Sequence, residues 1–247
     1  MTNVLVVYKK NFESIHDESL AQLEAILEDM KTSHQLRVEL RARERVRRAD
    51  FIGRDLVVVL GGDGTLTSIS HNIDESTPVM GVNSHPVSLD ANGSVGFYMD
   101  STLETFAEDF SAALRGEAIE NNLPRLRAII DSTSGNRYTT DPAMNELLIA
   151  NTHQYAPSKY HLRRGEKNTK QQSSGLIFST WLGQGAWFAH SLDTATLDEI
   201  RSEIVEGQEE SHYFVLARDL NHGQRVDERW SWVDWTDEPT QILSDMH

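Results

Sequence analysis

The first part of the chain alternates between short apolar runs and stretches with helical spacing. Four runs rich in Val and Leu predict strands, and most read as buried on both faces, as in a parallel sheet: residues 4–8, 36–40, 55–60 and 78–83. Residues 18–30 and 102–114 instead place apolar side chains three or four positions apart, which predicts helices. This alternation predicts an α/β N-terminal domain with a parallel, doubly wound sheet over residues 1–116.

From residue 117 onward the pattern changes to short alternating segments separated by polar turns. The predicted strands include residues 126–130, 147–151, 159–163, 213–216 and 230–235. Such a pattern predicts a second, β-rich and mostly antiparallel domain over residues 117–247. The alternative that its last segment returns to the first domain stays open at this point.

A glycine turn follows the most apolar of the strands, and it is where the chemistry is expected. The turn reads Gly61-Gly62-Asp63-Gly64-Thr65, and Thr65 opens a predicted helix over residues 66–73. Glycines let phosphate oxygens approach backbone N–H groups closely, and a helix N-terminus favours the same anion. A carboxylate such as Asp63 would be repelled by the phosphates. Its presence is therefore unfavourable unless it holds a metal ion or takes a proton from a hydroxyl. The plain alternative is a strand, a turn and a helix capped by Asp63. Asn83 ends the next strand and falls at the same edge of the sheet.

Composition and charge limit the class of protein. The 247 residues include 38 acidic and 23 basic side chains, giving a net charge of −15, and no cysteine. The charge argues against binding to nucleic acid or to an anionic membrane, and the lack of cysteine excludes disulfides. No apolar run approaches the roughly 18 residues of a membrane span. We therefore expect a soluble protein, and the absence of a basic N-terminal leader predicts a cytoplasmic location.

Residues 41–48 contain five arginines in eight positions. Such a run is usually a solvated face of the protein. The alternative is a surface patch that binds phosphate.

Several motifs follow one another along the chain and together resemble a known family. They are Gly61-Gly62-Asp63-Gly64-Thr65, Gly81-Val82-Asn83, Asn145-Glu146, Ser173-Ser174-Gly175 and Gly183-Gln184-Gly185-Ala186-Trp187. In this order they resemble the NAD kinase family, and Ser173-Ser174-Gly175 with Ala186-Trp187 are similar to its mitochondrial-type branch. The first motif alone is shared with diacylglycerol and sphingosine kinases, so the later motifs decide the resemblance.

The resemblance implies transfer of a phosphate from ATP to the 2′-hydroxyl of the adenosine ribose of NAD, with Mg²⁺ and a homodimer or larger homo-oligomer. It places Asp63 as the catalytic base or metal-proximal acid, and no protein metal site beyond it. The residues it places at the nucleotides are Gly61, Gly62, Gly64, Thr65, Asn83, Asn145, Glu146, Ser174, Gly183, Gly185, Ala186 and Trp187. For Trp187, stacking on a base and a place in the core are both open.

The chain departs from the common bacterial pattern at three positions. Ser174 stands where that pattern has Asp, and Leu182 and Gln184 replace small hydroxyl residues of the glycine loop. These changes keep two alternatives open: an NAD-binding protein with weak or lost catalysis, and a lipid kinase, which the negative charge disfavours. The donor, ATP or polyphosphate, and the acceptor, NAD or NADH, are also open.

Overall fold

The computed structural model describes residues 1–10, 14–153, 155–220 and 228–244. The chain divides into two compact units, Met1–Asn121 and Asn122–His247. We treat each unit by itself.

The first unit is built on a five-stranded parallel sheet. Its strands are β1 (Thr2–Tyr8), β2 (Leu36–Ala42), β3 (Leu56–Gly61), β4 (Val79–Asn83) and β5 (Ser101–Thr102), in the order β2-β1-β3-β4-β5. All neighbouring pairs are parallel. Every residue of the central strand β3 is buried, because its apolar run has sheet neighbours on both sides and packed side chains on both faces. The predicted α/β fold of this region is confirmed.

The described residues of this unit form four α-helices: α1 (Ser14–Met30), α2 (Arg48–Phe51), α3 (Asp63–Ile69) and α4 (Phe106–Leu114). Leu23 of α1 and Phe110 of α4 pack with Val58 of β3 in one buried cluster. The helix predicted over residues 102–114 begins only at Phe106. The reason is that Ser101–Thr102 is used as the edge strand beside β4.

The second unit consists mainly of antiparallel strands. They are β6 (Ile129–Asp131), β7 (Arg137–Thr139), β8 (Glu146–Ile149), β9 (Ser158–Arg164), β10 (Lys167–Ser173), β11 (Leu176–Ser179), β12 (Tyr213–Ala217), β13 (Val233–Thr236) and β14 (Thr240–Ser244). They form a sheet in the order β13-β12-β11-β8, a sheet in the order β10-β9-β14, and the β6-β7 hairpin. The β-rich, antiparallel character predicted for this region is confirmed, and the described end of the chain, β14, pairs with β9 of the same unit.

Two short helices, α5 (Trp187–His190) and α6 (Thr194–Arg201), complete this unit. The strand predicted over residues 230–235 was partly wrong, since a 3-10 helix covers Arg229–Ser231 and β13 starts at Val233. Trp230 and Trp235 pack into two different core clusters. Among the described residues, no helix has both the length and the apolar character that crossing a membrane requires.

Candidate functional site

A tight turn joins the central strand β3 to α3. Gly61 ends the strand and Asp63 begins the helix, so the helix start predicted at Thr65 was two residues late. A Cβ at Gly61 would lie well inside 3.0 Å of Thr65 Oγ1, and a Cβ at Gly62 would lie 2.8 Å from Ser94 Oγ. Side chains at these two positions would force the turn open. Thr65 is buried and fills the space beside Gly61, and its part in ligand binding stays a prediction.

The Asp63 carboxylate lies half-buried in the first turn of α3. Its Oδ1 accepts a hydrogen bond from the Tyr98 N–H at 2.8 Å. Within the described part of the chain, no other group donates a hydrogen bond to this carboxylate, so Oδ2 has no protein partner there. One oxygen therefore fixes the direction of the carboxylate, and the other is available to a ligand proton or a metal ion.

Asn83 holds the loop that covers this turn. Its side chain is buried, and its Nδ2 donates to Ser94 O at 3.1 Å while its Oδ1 accepts from the His85 N–H at 3.1 Å. The same loop supplies Ser94 and Tyr98 to the turn. The predicted binding residue Asn83 thus has a clear positioning role, and its contact with a nucleotide stays a prediction. Ser94 and Tyr98 were missed because one acts through packing and the other through its backbone N–H.

In the second unit, the Asn145-Glu146 pair lies where β8 begins. The Thr180 N–H donates to Asn145 O at 3.0 Å, and Thr180 Oγ1 donates to Met144 O at 2.6 Å. Thr180 leads directly into the 3-10 helix Trp181–Gly185, which contains the predicted glycine loop. The structure therefore brings the predicted Asn145-Glu146 motif and the glycine loop together.

Glu146 uses one carboxylate oxygen to hold helix α5. Its Oε1 accepts a hydrogen bond from the Phe188 N–H at 3.0 Å. Burial raises the pKa of this carboxyl above its ordinary value of 4.5, and hydrogen bonds from the α5 backbone oppose the shift. A Cβ at Gly183 would lie 3.2 Å from Oε1 and much closer to Ser179 Oγ. Gly183 is therefore required by packing, and a ligand contact for Glu146 stays a prediction.

Ser174 lies apart from the Asn145-Glu146 pair, because it precedes β11 whereas Glu146 pairs with the last residue of that strand. The exposed Ser174 donates its N–H to Arg218 O at 2.9 Å. The Arg218 guanidinium lies over the Trp187 ring, 4.8 Å from its centre. Trp187 is 42% exposed and so is not a core residue. Arg218 links two predicted residues, and no sequence pattern marks it because a lone arginine after a strand forms no motif.

The two departures in the glycine loop contact the protein itself. Leu182 is buried, and its N–H donates to Thr180 Oγ1 at 3.2 Å. The backbone oxygen of Gln184 accepts a hydrogen bond from Arg201 Nη2 at 2.7 Å. Leu182 therefore anchors the loop in the core, which gives a packing reason for an apolar residue at this position.

Two glycines, Gly64 and Gly185, have no structural reason to be glycine. A Cβ at either position would meet nothing within 4 Å, and neither has a positive φ. Every other described glycine either has a positive φ or would place a Cβ within 3.0 Å of another atom. Gly64 lies in helix α3, where glycine is less stable than alanine by about 0.5–1 kcal/mol. Open space in front of both predicted glycine motifs is what the close approach of a ligand requires.

Residues 2–118 match the family described as the ATP-NAD kinase N-terminal domain. The first unit is therefore similar to the N-terminal domain of ATP-NAD kinases. A probable NADH kinase of Oryza sativa subsp. japonica is 30% identical over 149 residues, 53% of this chain and 44% of the rice protein. An NAD kinase of Delftia acidovorans is 26% identical over 209 residues, 72% of this chain and 67% of that protein. The rice alignment thus spans less than half the length of that relative.

Among solved structures, the yeast NADH kinase complexed with NADH has a TM-score of 0.69 at 14% identity. The match covers all of this chain (100%) and 70% of the yeast chain. At this identity the likeness establishes the NAD kinase fold alone. The rice NADH kinase gives loose support to the mitochondrial-type branch of the family, and the branch stays a prediction.

The NAD kinase resemblance implies Mg²⁺, and the donor groups of the first unit can be tested against it. Among the described residues, no group of three or more His, Asp or Glu side chains could hold a metal ion by itself. Mg²⁺ is, however, commonly bound through one or two carboxylates together with substrate phosphates. Asp63, with Oδ2 turned to no described partner, fits this limited requirement.

The arginine-rich segment, residues 41–48, lines a cavity of about 470 Å³. Its walls include Arg41, Arg45 and Arg47 together with Glu44 and Asp50. The Arg41 guanidinium lies 3.6 Å from Asp50 Oδ1, so carboxylates on the same walls offset part of the positive charge. This mixture of charges is typical of a solvated ion-pair surface.

Proposed function

We propose that the chain transfers the terminal phosphate of ATP to the 2′-hydroxyl of the adenosine ribose of NAD or NADH. The observation that carries the proposal is the Asp63 carboxylate, with Oδ1 held by the Tyr98 N–H and Oδ2 free of described partners. It lies in a glycine turn whose Gly64 leaves open space. The similarity of residues 2–118 to the ATP-NAD kinase N-terminal domain and the relatives named NAD kinase and probable NADH kinase support it.

In this mechanism Asp63 is the general base. Its Oδ2 accepts the proton of the ribose 2′-hydroxyl while that oxygen attacks the terminal phosphorus of ATP. A bond forms between the ribose oxygen and phosphorus, the bond from phosphorus to the bridging oxygen breaks, and ADP leaves. Because a ribose hydroxyl is a weak nucleophile near neutral pH, a positioned carboxylate contributes a factor of roughly 10²–10⁴.

We propose that the phosphate chain of ATP lies at the turn, against the backbone of Gly61, Gly62, Gly64 and Thr65. Glycine turns after a parallel strand suit this task because their N–H groups can approach phosphate oxygens. Mg²⁺ bound to the phosphates would neutralise the charge of the transferred group while Asp63 Oδ2 accepts the ribose proton.

The residues proposed for the dinucleotide follow from the family resemblance and are gathered in the second unit: Asn145, Glu146, Ser174, Gly183, Gly185, Ala186 and Trp187. The yeast protein of similar fold is an NADH kinase complexed with NADH, which supports the reduced dinucleotide as acceptor. The Delftia acidovorans relative is named NAD kinase, which supports the oxidised one. The homo-oligomeric state and the cytoplasmic location stay predictions from the sequence.

The experiment is a phosphotransfer assay that crosses two donors, ATP and polyphosphate, with two acceptors, NAD and NADH. We expect 2′-phosphorylated product with at least one pair, and dependence on added Mg²⁺. Calorimetry on the same protein separates binding from turnover. A protein that binds dinucleotide but forms no product with any donor would contradict the proposed activity and favour a binding protein.

A further inference from the structure

Arg218 has a distinct place among the arginines of the second unit. It follows β12, it is half-buried, and within the described part of the chain it forms no ion pair with a carboxylate. Four arginines of this unit are paired with acidic groups: Arg137 with Asp131, Arg164 with Asp234, Arg201 with Asp198, and Arg229 with Glu199 and Glu203. Arg127 and Arg163 also form no ion pair among the described residues, but both are exposed. In a chain of net charge −15, a half-buried guanidinium without such a partner is available to a ligand anion.

The Trp187 ring orders the Arg218 side chain. The guanidinium carbon lies 4.8 Å from the ring centre, within the range of a cation–π contact. Such a contact reduces the conformational freedom of the long arginine side chain. The N–H donors of the guanidinium point outward in its own plane, so they remain available to a ligand. The contact also covers one face of Trp187, so that this face cannot stack on a base.

The backbone beneath the side chain is held on both sides. The Ser174 N–H donates to Arg218 O at 2.9 Å, and the Arg218 N–H donates to Gly175 O at 2.9 Å. Gly175, at φ +118°, adopts a conformation that favours glycine. The exposed Ser174 adds only a small, uncharged side chain beside Arg218.

A buried hydroxyl pair supports this bend. Ser173 Oγ donates to Gly175 O at 3.2 Å and accepts from the Gly175 N–H at 3.0 Å. Because the Ser173 proton is used there, the Tyr160 hydroxyl donates to Ser173 Oγ, at 2.8 Å. The base of the Arg218 side chain is therefore fixed before any ligand arrives, which lowers the entropy lost on binding.

We propose that Arg218, positioned by Trp187, binds a phosphate group of a nucleotide. The inference rests on the proposed function for its ligand class. A guanidinium that is ordered, half-buried and unpaired matches a phosphate through two parallel N–H···O bonds. Two sources supply this chemistry, the pyrophosphate of the dinucleotide and the phosphate chain of ATP, and Trp187 serves as a positioning residue and not as a stacking platform for a base.

The test measures dissociation constants for NADH, for ATP and for adenosine, which has no phosphate, by calorimetry. Arg218→Gln is compared with Lys167→Gln, which removes another cation that lies over a tryptophan, Trp230, in the same unit. We expect Arg218→Gln to weaken binding of one nucleotide by about 10- to 100-fold, as for a hydrogen bond to a charged group. Adenosine binding and the Lys167→Gln variant should not change. The nucleotide that is affected identifies the source of the phosphate.

Further variants separate phosphate binding from a structural effect. Arg218→Lys keeps the charge and should recover part of the affinity, and the loss in Arg218→Gln should shrink at high salt because the contact is electrostatic. Trp187→Leu should weaken binding in the wild-type background but not in Arg218→Gln, since it acts through Arg218. Equal losses of Trp187→Leu in both backgrounds would overturn the positioning role.

The outcomes also separate this inference from the proposed function. Unchanged nucleotide affinity in Arg218→Gln, or an equal loss for adenosine, overturns the role of Arg218 even if the wild type phosphorylates NADH. A wild type that binds NADH without phosphorylating it contradicts the proposed activity, while the Arg218 data still decide this inference. A wild type that binds neither nucleotide overturns both.

Discussion

The two glycine motifs, one in each unit, are built in the same way. Each has a glycine that packing requires, Gly61 beside Thr65 and Gly183 beside Ser179, where a Cβ would lie far inside 3.0 Å of a neighbouring hydroxyl. Each also has a glycine, Gly64 or Gly185, whose Cβ would meet only open space. The first kind shapes the turn, and the second kind keeps the surface of the turn accessible.

The motifs differ in what the nearest carboxylate does. In the first unit Asp63 keeps Oδ2 free of described partners, so it can take a proton. In the second unit Glu146 accepts the Phe188 N–H and is buried enough for its pKa to be raised. The Asp63 carboxylate therefore keeps one oxygen for a ligand, whereas the Glu146 carboxylate holds the backbone at the start of α5.

The largest expected effect comes from Asp63→Asn. The amide oxygen can still accept the Tyr98 N–H, so the turn keeps its shape, while the basic oxygen is lost. We expect turnover to fall by about 100- to 10,000-fold with dinucleotide affinity nearly unchanged. Initial rates and calorimetry measure the two quantities. Asp74→Asn, at an exposed aspartate that bonds only within its own turn, is the control, and an equal effect of both variants would remove Asp63 from the chemistry.

The next effect concerns the packing glycines. Gly183→Ala would drive a methyl group into Ser179 Oγ, and Gly61→Ala would do the same at Thr65 Oγ1. We expect each change to lower the free energy of unfolding by about 1–3 kcal/mol, because overpacking forces the neighbours to shift. Urea unfolding measures this loss. Wild-type stability in both variants would show that these turns can relax, and the distinction between the two kinds of glycine would fail.

Substitution of Gly64 or Gly185, where a Cβ would meet only open space, should not destabilise the protein. Gly64→Ala removes a weak helix former without a clash, so the free energy of unfolding should rise by about 0.5–1 kcal/mol. If a nucleotide occupies the open space, the same methyl group should weaken binding by about tenfold. Gly185→Ala should weaken binding in the same way without a loss of stability. A more stable protein with unchanged nucleotide affinity would contradict the reason given for these glycines.

Strands and helices with long apolar patterns could be predicted from the sequence. The strands β1, β3 and β4 and the helix α1 were predicted because burial on a parallel sheet leaves a continuous apolar pattern. Helix α6 was missed, since its eight residues, TATLDEIR, hold few apolar side chains. Tertiary contacts, not local pattern, decide such elements.

At the candidate site, the motif residues were identified but their supports were not. Asp63 was found because an acid among glycines has few purely structural uses. Tyr98 acts through its backbone N–H from 35 positions away, and Arg218 meets Ser174 through strand pairing. Neither contact leaves a signal in the residue type, so only the folded chain identifies them.

The smallest expected effect is a change in how the free energy of unfolding depends on pH, and it tests the role of Glu146. Burial raises its pKa above 4.5, so the folded protein binds this proton more tightly than the unfolded chain does. The stabilisation is complete below pH 4.5 and is lost as the pH rises through the raised pKa. Glu146→Gln keeps an oxygen for the Phe188 N–H but cannot ionise. As the pH rises from 4.5 through the raised pKa, this variant should therefore lose less stability than the wild type.

Urea unfolding of the two proteins at a series of pH values measures this difference. Glu39 provides a control of opposite sign in the first unit, because the hydrogen bond from Arg54 lowers its pKa. The stability that Glu39 contributes is present above pH 4.5 and is lost as the pH falls, so Glu39→Gln should differ from the wild type mainly above that value. If the Glu146→Gln and wild-type curves run parallel at every pH, Glu146 is not desolvated, and an exposed carboxylate beside the glycine loop would then be available to a ligand after all.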